Sequence, residues 1–205
     1  MKSRCIALDA DGVLLDYNQA YALAWQHAFG ARPEERDPSA YWAMDRWGVK
    51  HLDGEALDRL RAAFDESFWS NLPAVAGALS ACQQLDAAGF ELVCVSAIHP
   101  RFEPARLRNL QQLGFPIARV IATSHGDGAR SPKAAALERL MPVAFVDDYL
   151  PYLRGLPTHI HAALIHRQKR GSPNTGPELS LAHSHHEDLA AFAAWWLEEG
   201  HEQFD

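Results

Sequence analysis

The stretch Cys5-Ile6-Ala7-Leu8-Asp9-Ala10-Asp11-Gly12-Val13-Leu14-Leu15-Asp16 passes from a wholly apolar run to two carboxylates set two positions apart. A short apolar run closed by a turn signal reads as a strand buried on both faces. In extended or turn geometry positions i and i+2 project to one side, so Asp9 and Asp11 face a common point, and Gly12 lets the chain turn away tightly. Two carboxylates so placed repel unless a cation or a shared proton relieves them. Alone, the pair reads more simply as a solvated turn, and Asp16 as a helix-start residue.

Similar apolar segments recur at residues 92–95, 119–122, 143–146 and 160–165, with helical patterns between the later ones. The helices are expected over about 75–88, 103–113, 132–140 and 186–199, each stopped by a glycine or a proline. This alternation predicts βαβ units on a parallel sheet, an α/β fold with a Rossmann-like three-layer core. Between Asp16 and Pro73 no strand is evident. That interval has helical periodicity over 18–29 and 54–69 and holds Trp25, Trp42, Trp47 and Trp69, four of the six tryptophans. It is expected to be a small all-helical cap, residues 16–73, inserted after the first strand of a core made of 1–15 and 74–205, with the tryptophans as its own interior.

In an open parallel sheet, ligands bind at the carboxyl ends of the strands. The second strand ends in Ser96, a hydroxyl able to donate to a phosphate oxygen. After the third comes a glycine-rich loop and then Ser131-Pro132-Lys133, where Ser131 is suited to cap a helix and Pro132 to begin it, putting Lys133 in the first turn. The helix dipole disfavours a cation there, but a lysine beside free amides makes an anion site. The fourth strand ends in Phe145-Val146-Asp147-Asp148-Tyr149. Three or four carboxylates at one sheet edge need compensation, most simply by a hard cation taking oxygen ligands, Mg²⁺.

With Asp9-Ala10-Asp11-Gly12-Val13, Ser96, Lys133 and Asp147-Asp148 in this order, the chain resembles the haloacid dehalogenase-like hydrolase superfamily. The resemblance is to the phosphatase branch with an inserted helical cap, the group of phosphoglycolate phosphatase and β-phosphoglucomutase-like enzymes, and it spans nearly the whole chain. It implies that Asp9 attacks phosphorus to give an aspartyl-phosphate, and that Asp11 protonates the leaving oxygen and then activates water. Ser96 and Lys133 would hold the phosphoryl oxygens. Asp147 and Asp148 would complete a Mg²⁺ site with Asp9 and the backbone carbonyl of Asp11. Alignment with relatives favours Asp148 as the direct ligand of the pair. A small phosphorylated metabolite is the expected substrate, hydrolysed by a Mg²⁺-dependent phosphatase. The cap loop Arg46-Trp47-Gly48-Val49-Lys50-His51 offers Arg46 and Lys50 to an acidic or second-phosphate group, or is a solvated turn.

Other members of the superfamily set the alternatives. A haloacid dehalogenase needs neither the second aspartate nor Mg²⁺, and a phosphonate-cleaving relative uses a cap lysine but also lacks that aspartate. A phosphomutase would share all the motifs. From a different class, the chain would be a non-catalytic binding module that keeps the fold. A net charge of −7 argues against nucleic-acid and anionic-membrane partners, no apolar run is long enough to span a bilayer, and Cys5, Cys82 and Cys94 read as reduced core thiols. A cytoplasmic monomer or homodimer is expected. His159, His161 and His166 near the fifth strand and His183, His185 and His186 before the last helix fit no specific metal-ligand spacing. The 170–177 segment, with two glycines and two prolines, reads as a mobile loop.

Overall fold

A computed structural model of the chain describes residues 4–126 and 128–200. Six strands, β1 (Cys5–Leu8), β2 (Glu91–Ser96), β3 (Ile117–Ala122), β4 (Ala144–Asp147), β5 (His161–Ile165) and β6 (Ser184–His186), form one all-parallel sheet in the order β3-β2-β1-β4-β5-β6. The order departs in opposite directions from β1, so the crevice lies beyond its carboxyl end, where Asp9 follows Leu8. β6 has only three residues, Ser-His-His. With no apolar run it gives no strand signal, and it exists because it pairs with the exposed edge of β5.

Side chains alternate across the sheet. Ile6, Leu8, Cys94, Ala144 and Val146 point to one face, packed under α5 (Ala78–Ala87), α6 (Glu103–Gln112) and α8 (Leu189–Glu198). Ala7, Val93, Val95 and Phe145 point to the other, packed under α7 (Ala134–Leu140). All four helices fall where the apolar periodicity put them.

Between Tyr17 and Trp69 lie α1 (Tyr17–Phe29), α2 (Ala43–Arg46), α3 (Gly54–Ala62) and α4 (Glu66–Trp69). Asp16 caps α1, its Oδ1 accepting from Gln19 N at 3.0 Å. The single helix expected over 54–69 is interrupted after Ala62 and restarts where Asp65 caps α4 by accepting from Phe68 N at 2.9 Å. Chain entering and chain leaving this segment are tied side by side: Asp16 N donates to Pro73 O at 2.8 Å and Val75 N to Leu14 O at 2.9 Å. Tyr21, Ala22, Trp47 and Leu60 form a small separate cluster, against which Trp25 packs. The expectation that all four tryptophans build this cluster is corrected at two positions. Trp69 belongs to the main core, and Trp42 is 46% exposed.

Candidate active site

Asp9 extends β1, its amide donating to Val146 O at 2.9 Å. Continuing the strand alternation, Asp9 and Asp147 both turn to the face covered by α7. Lys133 stands at the start of α7, 0% exposed, and meets them both: its Nζ donates to Asp9 Oδ1 and, at 2.7 Å, to Asp147 Oδ2. The ammonium also lies 4.7 Å from the Tyr152 ring centroid. Ser131 Oγ accepts from Lys133 N at 3.1 Å, fixing the turn that aims the lysine inward. The sequence placed Lys133 correctly at a helix start. Its contacts are with two carboxylates, which supply the compensation that a cation at that end of a helix lacks.

Burial pushes Asp9 well above the usual carboxylate range; Lys133 opposes this, while Asp147, Asp148 and Asp11 add to it. Asp147 is raised to about 6, again by burial first, against the pull of Lys133. Burial alone would lower Lys133, yet Asp147 and Asp9 leave it raised. The site therefore holds more carboxylate than one ammonium neutralises.

Asp148 is compensated separately. Its Oδ2 accepts from Arg167 Nε, and the guanidinium lies 4.2 Å above the Tyr41 ring. Gly12 makes room for this pair. It has φ +92°, and a Cβ there would lie 2.6 Å from Arg167 Nε and 2.7 Å from Asp148 Cγ. Tyr41 Oη and Asn174 Nδ2 donate to Asp148 O at 3.2 and 2.7 Å, and Leu150 N donates to Asn174 Oδ1 at 2.9 Å. Asn174 thus ties the 170–177 segment to the strand end. Tyr41 N donates to Arg170 O at 2.9 Å, which links the segment to the helical insertion as well.

Asp11 is 27% exposed and turns toward α6. Arg106 Nη2 donates to its Oδ1 at 2.7 Å and its Oδ2 at 2.9 Å. Arg106 is wholly buried, 5.0 Å from the Trp69 ring centroid, and its Nε and Nη1 have no hydrogen-bond partner. Ser96 Oγ, buried at the end of β2, is likewise unpartnered. Unpartnered buried polar groups of this kind are rare in folded chains.

One carboxylate oxygen from each of Asp9, Asp147 and Asp148 lies within 4.8 Å of the others. An all-oxygen, partly uncompensated donor set fits a hard divalent cation. Asp147 is the most committed, since its Oδ1 also accepts from Tyr149 N at 2.9 Å, whereas Asp148 gives Arg167 only Oδ2. Two joined cavities open from the cluster. An inner one of about 280 Å³ is lined by Asp9, Asp11, Trp69 and Ala97, and an outer one of about 490 Å³ by Tyr41, Trp42, Tyr149 and Arg167; both share Asp11, Tyr17, His125, Asp148 and Tyr152.

A family model described as haloacid dehalogenase-like hydrolase matches residues 3–150. The chain belongs to that family. No curated protein matches the sequence. Among solved structures, the chain is similar to a haloacid dehalogenase-like family hydrolase from Deinococcus radiodurans with bound phosphate and sodium (18% identity, 97% of this chain and 96% of that one, TM-score 0.61). It is similar too to a predicted phosphoglycolate phosphatase from Haemophilus somnus (14%, 95% and 98%, TM-score 0.61). A third is the L-2-haloacid dehalogenase of Xanthobacter autotrophicus with chloropropionic acid covalently bound (13%, 96% and 99%, TM-score 0.61). At these identities the likeness is one of fold.

Arg46 and Lys50 do not line either cavity. Arg46 Nη2 is paired with Glu35 Oε1 at 2.7 Å and its guanidinium lies 5.8 Å from the Trp47 ring, while Lys50 is exposed. Arg106, Arg167 and the ring of aromatics belong to no motif in the sequence. Arg106 carried a signal: with Ala105, Asn109 and Leu110 it lies on the buried face of α6, a charge where that face should be apolar. Arg167 stands two residues past β5, at the same sheet edge as the known motifs.

Proposed function

We propose that the protein is a Mg²⁺-dependent phosphatase acting on a phosphate monoester through an aspartyl-phosphate on Asp9. The carrying observation is the second carboxylate, Asp11, at the mouth of the cavity and anchored by Arg106. A halide departs as a stable anion and needs no proton. An alkoxide leaving group does, and Asp11 is the acid at hand. Residues 16–73 serve as the cap over the core of 1–15 and 74–205.

In this reading, Asp9 Oδ1 is held by Lys133 while Oδ2 forms the bond to phosphorus as the bond to the leaving oxygen breaks. Asp11, which must take up a proton and loosen from Arg106 to act as the acid, gives that oxygen its proton, then takes one from a water whose attack on phosphorus returns Asp9 to its free carboxylate. Ser96 Oγ, free of other partners, donates to a phosphoryl oxygen, and Lys133 shares in holding the phosphoryl group. Asp9, Asp147, Asp148 and the backbone carbonyl of Asp11 would hold Mg²⁺, with Asp148 the more available of the adjacent pair. When bound, the metal supplies the charge screening that lets a carboxylate approach a phosphate.

The substrate is a small molecule, and the chain works as a cytoplasmic monomer or homodimer without nucleic-acid or membrane partners. Among the described residues no helix is long and apolar enough to cross a membrane. Hydrolysis of a generic aryl phosphate with and without Mg²⁺ tests the reading. It predicts metal-dependent release of phosphate that Asp9→Asn abolishes; wild-type activity no greater than that of Asp9→Asn would overturn it in favour of a non-catalytic module.

A further inference from the structure

We infer that the outer cavity is a leaving-group site for a flat, uncharged ring, so that the substrates are phosphate monoesters of ring-bearing alcohols rather than small phosphorylated acids. The inference rests on the phosphatase reading for its chemistry and on the cavity wall for its specificity. The cavity, about 490 Å³, opens directly from Asp11 and is walled by Tyr17, Tyr41, Trp42, Tyr149 and Tyr152. The rings brace one another edge to face. Tyr41 and Trp42 have centroids 4.9 Å apart at 82°, Trp42 and Tyr149 6.2 Å at 70°, and Tyr149 and Tyr152 4.8 Å at 80°. A rigid aromatic wall of this kind stacks a planar ligand at small entropic cost. Trp42, 46% exposed, is the large aromatic left facing solvent at this wall, so part of its ring surface is open to a ligand.

The charges favour a neutral leaving group over an acidic one. The wall's anions are Asp11 and Asp148, and its one fixed cation is Arg167. All three guanidinium nitrogens of Arg167 are engaged: Nε with Asp148, Nη1 with Gln168 Oε1 at 2.5 Å, and Nη2 with Tyr41 O at 3.3 Å. A leaving group carrying its own carboxylate or second phosphate would therefore face two carboxylates, with only His125 and the two remaining N–H groups of an Arg167 already paired to Asp148 to receive it. A neutral ring loses nothing there.

Binding and turnover are measured separately. By calorimetry in Mg²⁺, benzylphosphonate should bind wild-type protein at least about tenfold more tightly than propylphosphonate (~1.4 kcal/mol), and Trp42→Ala should shrink that ratio severalfold. Equal affinity for the two phosphonates, or a ratio unmoved in both Trp42→Ala and Tyr149→Ala, overturns the ring site. In kcat/KM, benzyl phosphate or uridine 5′-monophosphate should exceed both propyl phosphate and phosphoglycolate, the better of the first two telling a bare ring from a nucleobase. Hydrolysis of all four esters without ring preference would sink this inference and leave the phosphatase standing. Ring-selective phosphonate binding with no ester hydrolysed would overturn the phosphatase reading, and the leaving-group role with it, while leaving a ring-binding site.

Discussion

Lys133 is where stability and chemistry are most tightly joined, and replacing it by methionine tests both. The substitution keeps the stem's volume and removes one buried ammonium from between two buried carboxylates, with 2.7 Å to Asp147 and direct contact with Asp9. Deleting one partner of a buried ion pair typically costs about 3 to 5 kcal/mol, because the other charge is left uncompensated. For a chain of this size, roughly 2 to 4 °C per kcal/mol gives a melting temperature lower by about 10 °C at pH 8. The deficit should depend on pH. Asp147 already titrates near 6 and Asp9 is raised with it, and Lys133 is what holds both down. Without it their folded-state pKa rises further. A carboxyl raised in the folded state gives stability that is whole below its unfolded value, near 4, and is lost as pH climbs through the folded value. The gap between Lys133→Met and wild type is thus largest at pH 8 and smaller at pH 5, and saturating Mg²⁺ should close part of it at pH 8. Thermal unfolding followed by circular dichroism at the two pH values gives the answer. Equal melting temperatures at pH 8, or one deficit at both pH values, would refute the charge argument.

Three further outcomes follow from particular contacts. Gly12→Ala puts a Cβ at φ +92° against Asp148 and Arg167, so soluble protein should keep its helical signal but lose Mg²⁺-dependent activity by about a hundredfold; near-normal kinetics would show that the Asp148–Arg167 pair can move aside. Arg106→Met removes a charge-assisted contact worth roughly 1.5 to 3 kcal/mol but also two orphaned buried donors that cost about 1 to 3 each, so the melting temperature should not fall and should rise by a few degrees. Its kcat should nevertheless fall about a hundredfold for an alkyl ester and much less for an aryl ester with an activated leaving group, because only the former needs a positioned acid; equal losses on both would remove Arg106 from that role. His161 is lowered to about 4 by burial, with His183 and His186 adding to the effect, so the unfolded chain binds its proton first as pH falls from about 6.5. The share of stability held by His161 should drain over pH 6.5 to 4, against the gain from Asp147 and Asp9 in the same range, so His161→Gln should raise the low-pH end of the melting-temperature profile relative to wild type; an unchanged difference across the window counts against a buried neutral imidazole.

The sheet and its flanking helices could be read from the chain because each rests on a local pattern. Ile6 and Leu8 alternate with Cys5 and Ala7, and the helix boundaries carry their own stop signals. β6 could not be read, since Ser184-His185-His186 is extended only by virtue of its neighbour. The carboxylates, Ser96 and Lys133 were visible because strand ends in a parallel sheet converge whatever the loops do. Which cation meets which carboxylate was not visible. Arg106 and Arg167 reach Asp11 and Asp148 across 95 and 19 residues, distances that only the assembled sheet closes. The cap loop is undecided by sequence for a related reason: charge in Arg46 and Lys50 says nothing of direction, and Arg46 is paired with Glu35. Trp42 looked like core by residue type and proved to be rim by position.

The covalent role of Asp9 is tested most directly by trapping. Wild-type protein turning over a radiolabelled phosphate monoester in Mg²⁺ is quenched in acid, digested and mapped. Label is predicted on the peptide containing Asp9, in wild type and not in Asp9→Asn, with no halide released from chloropropionate under the same conditions. An unlabelled Asp9 peptide during demonstrable turnover, or halide release dependent on Asp9, would contradict the account.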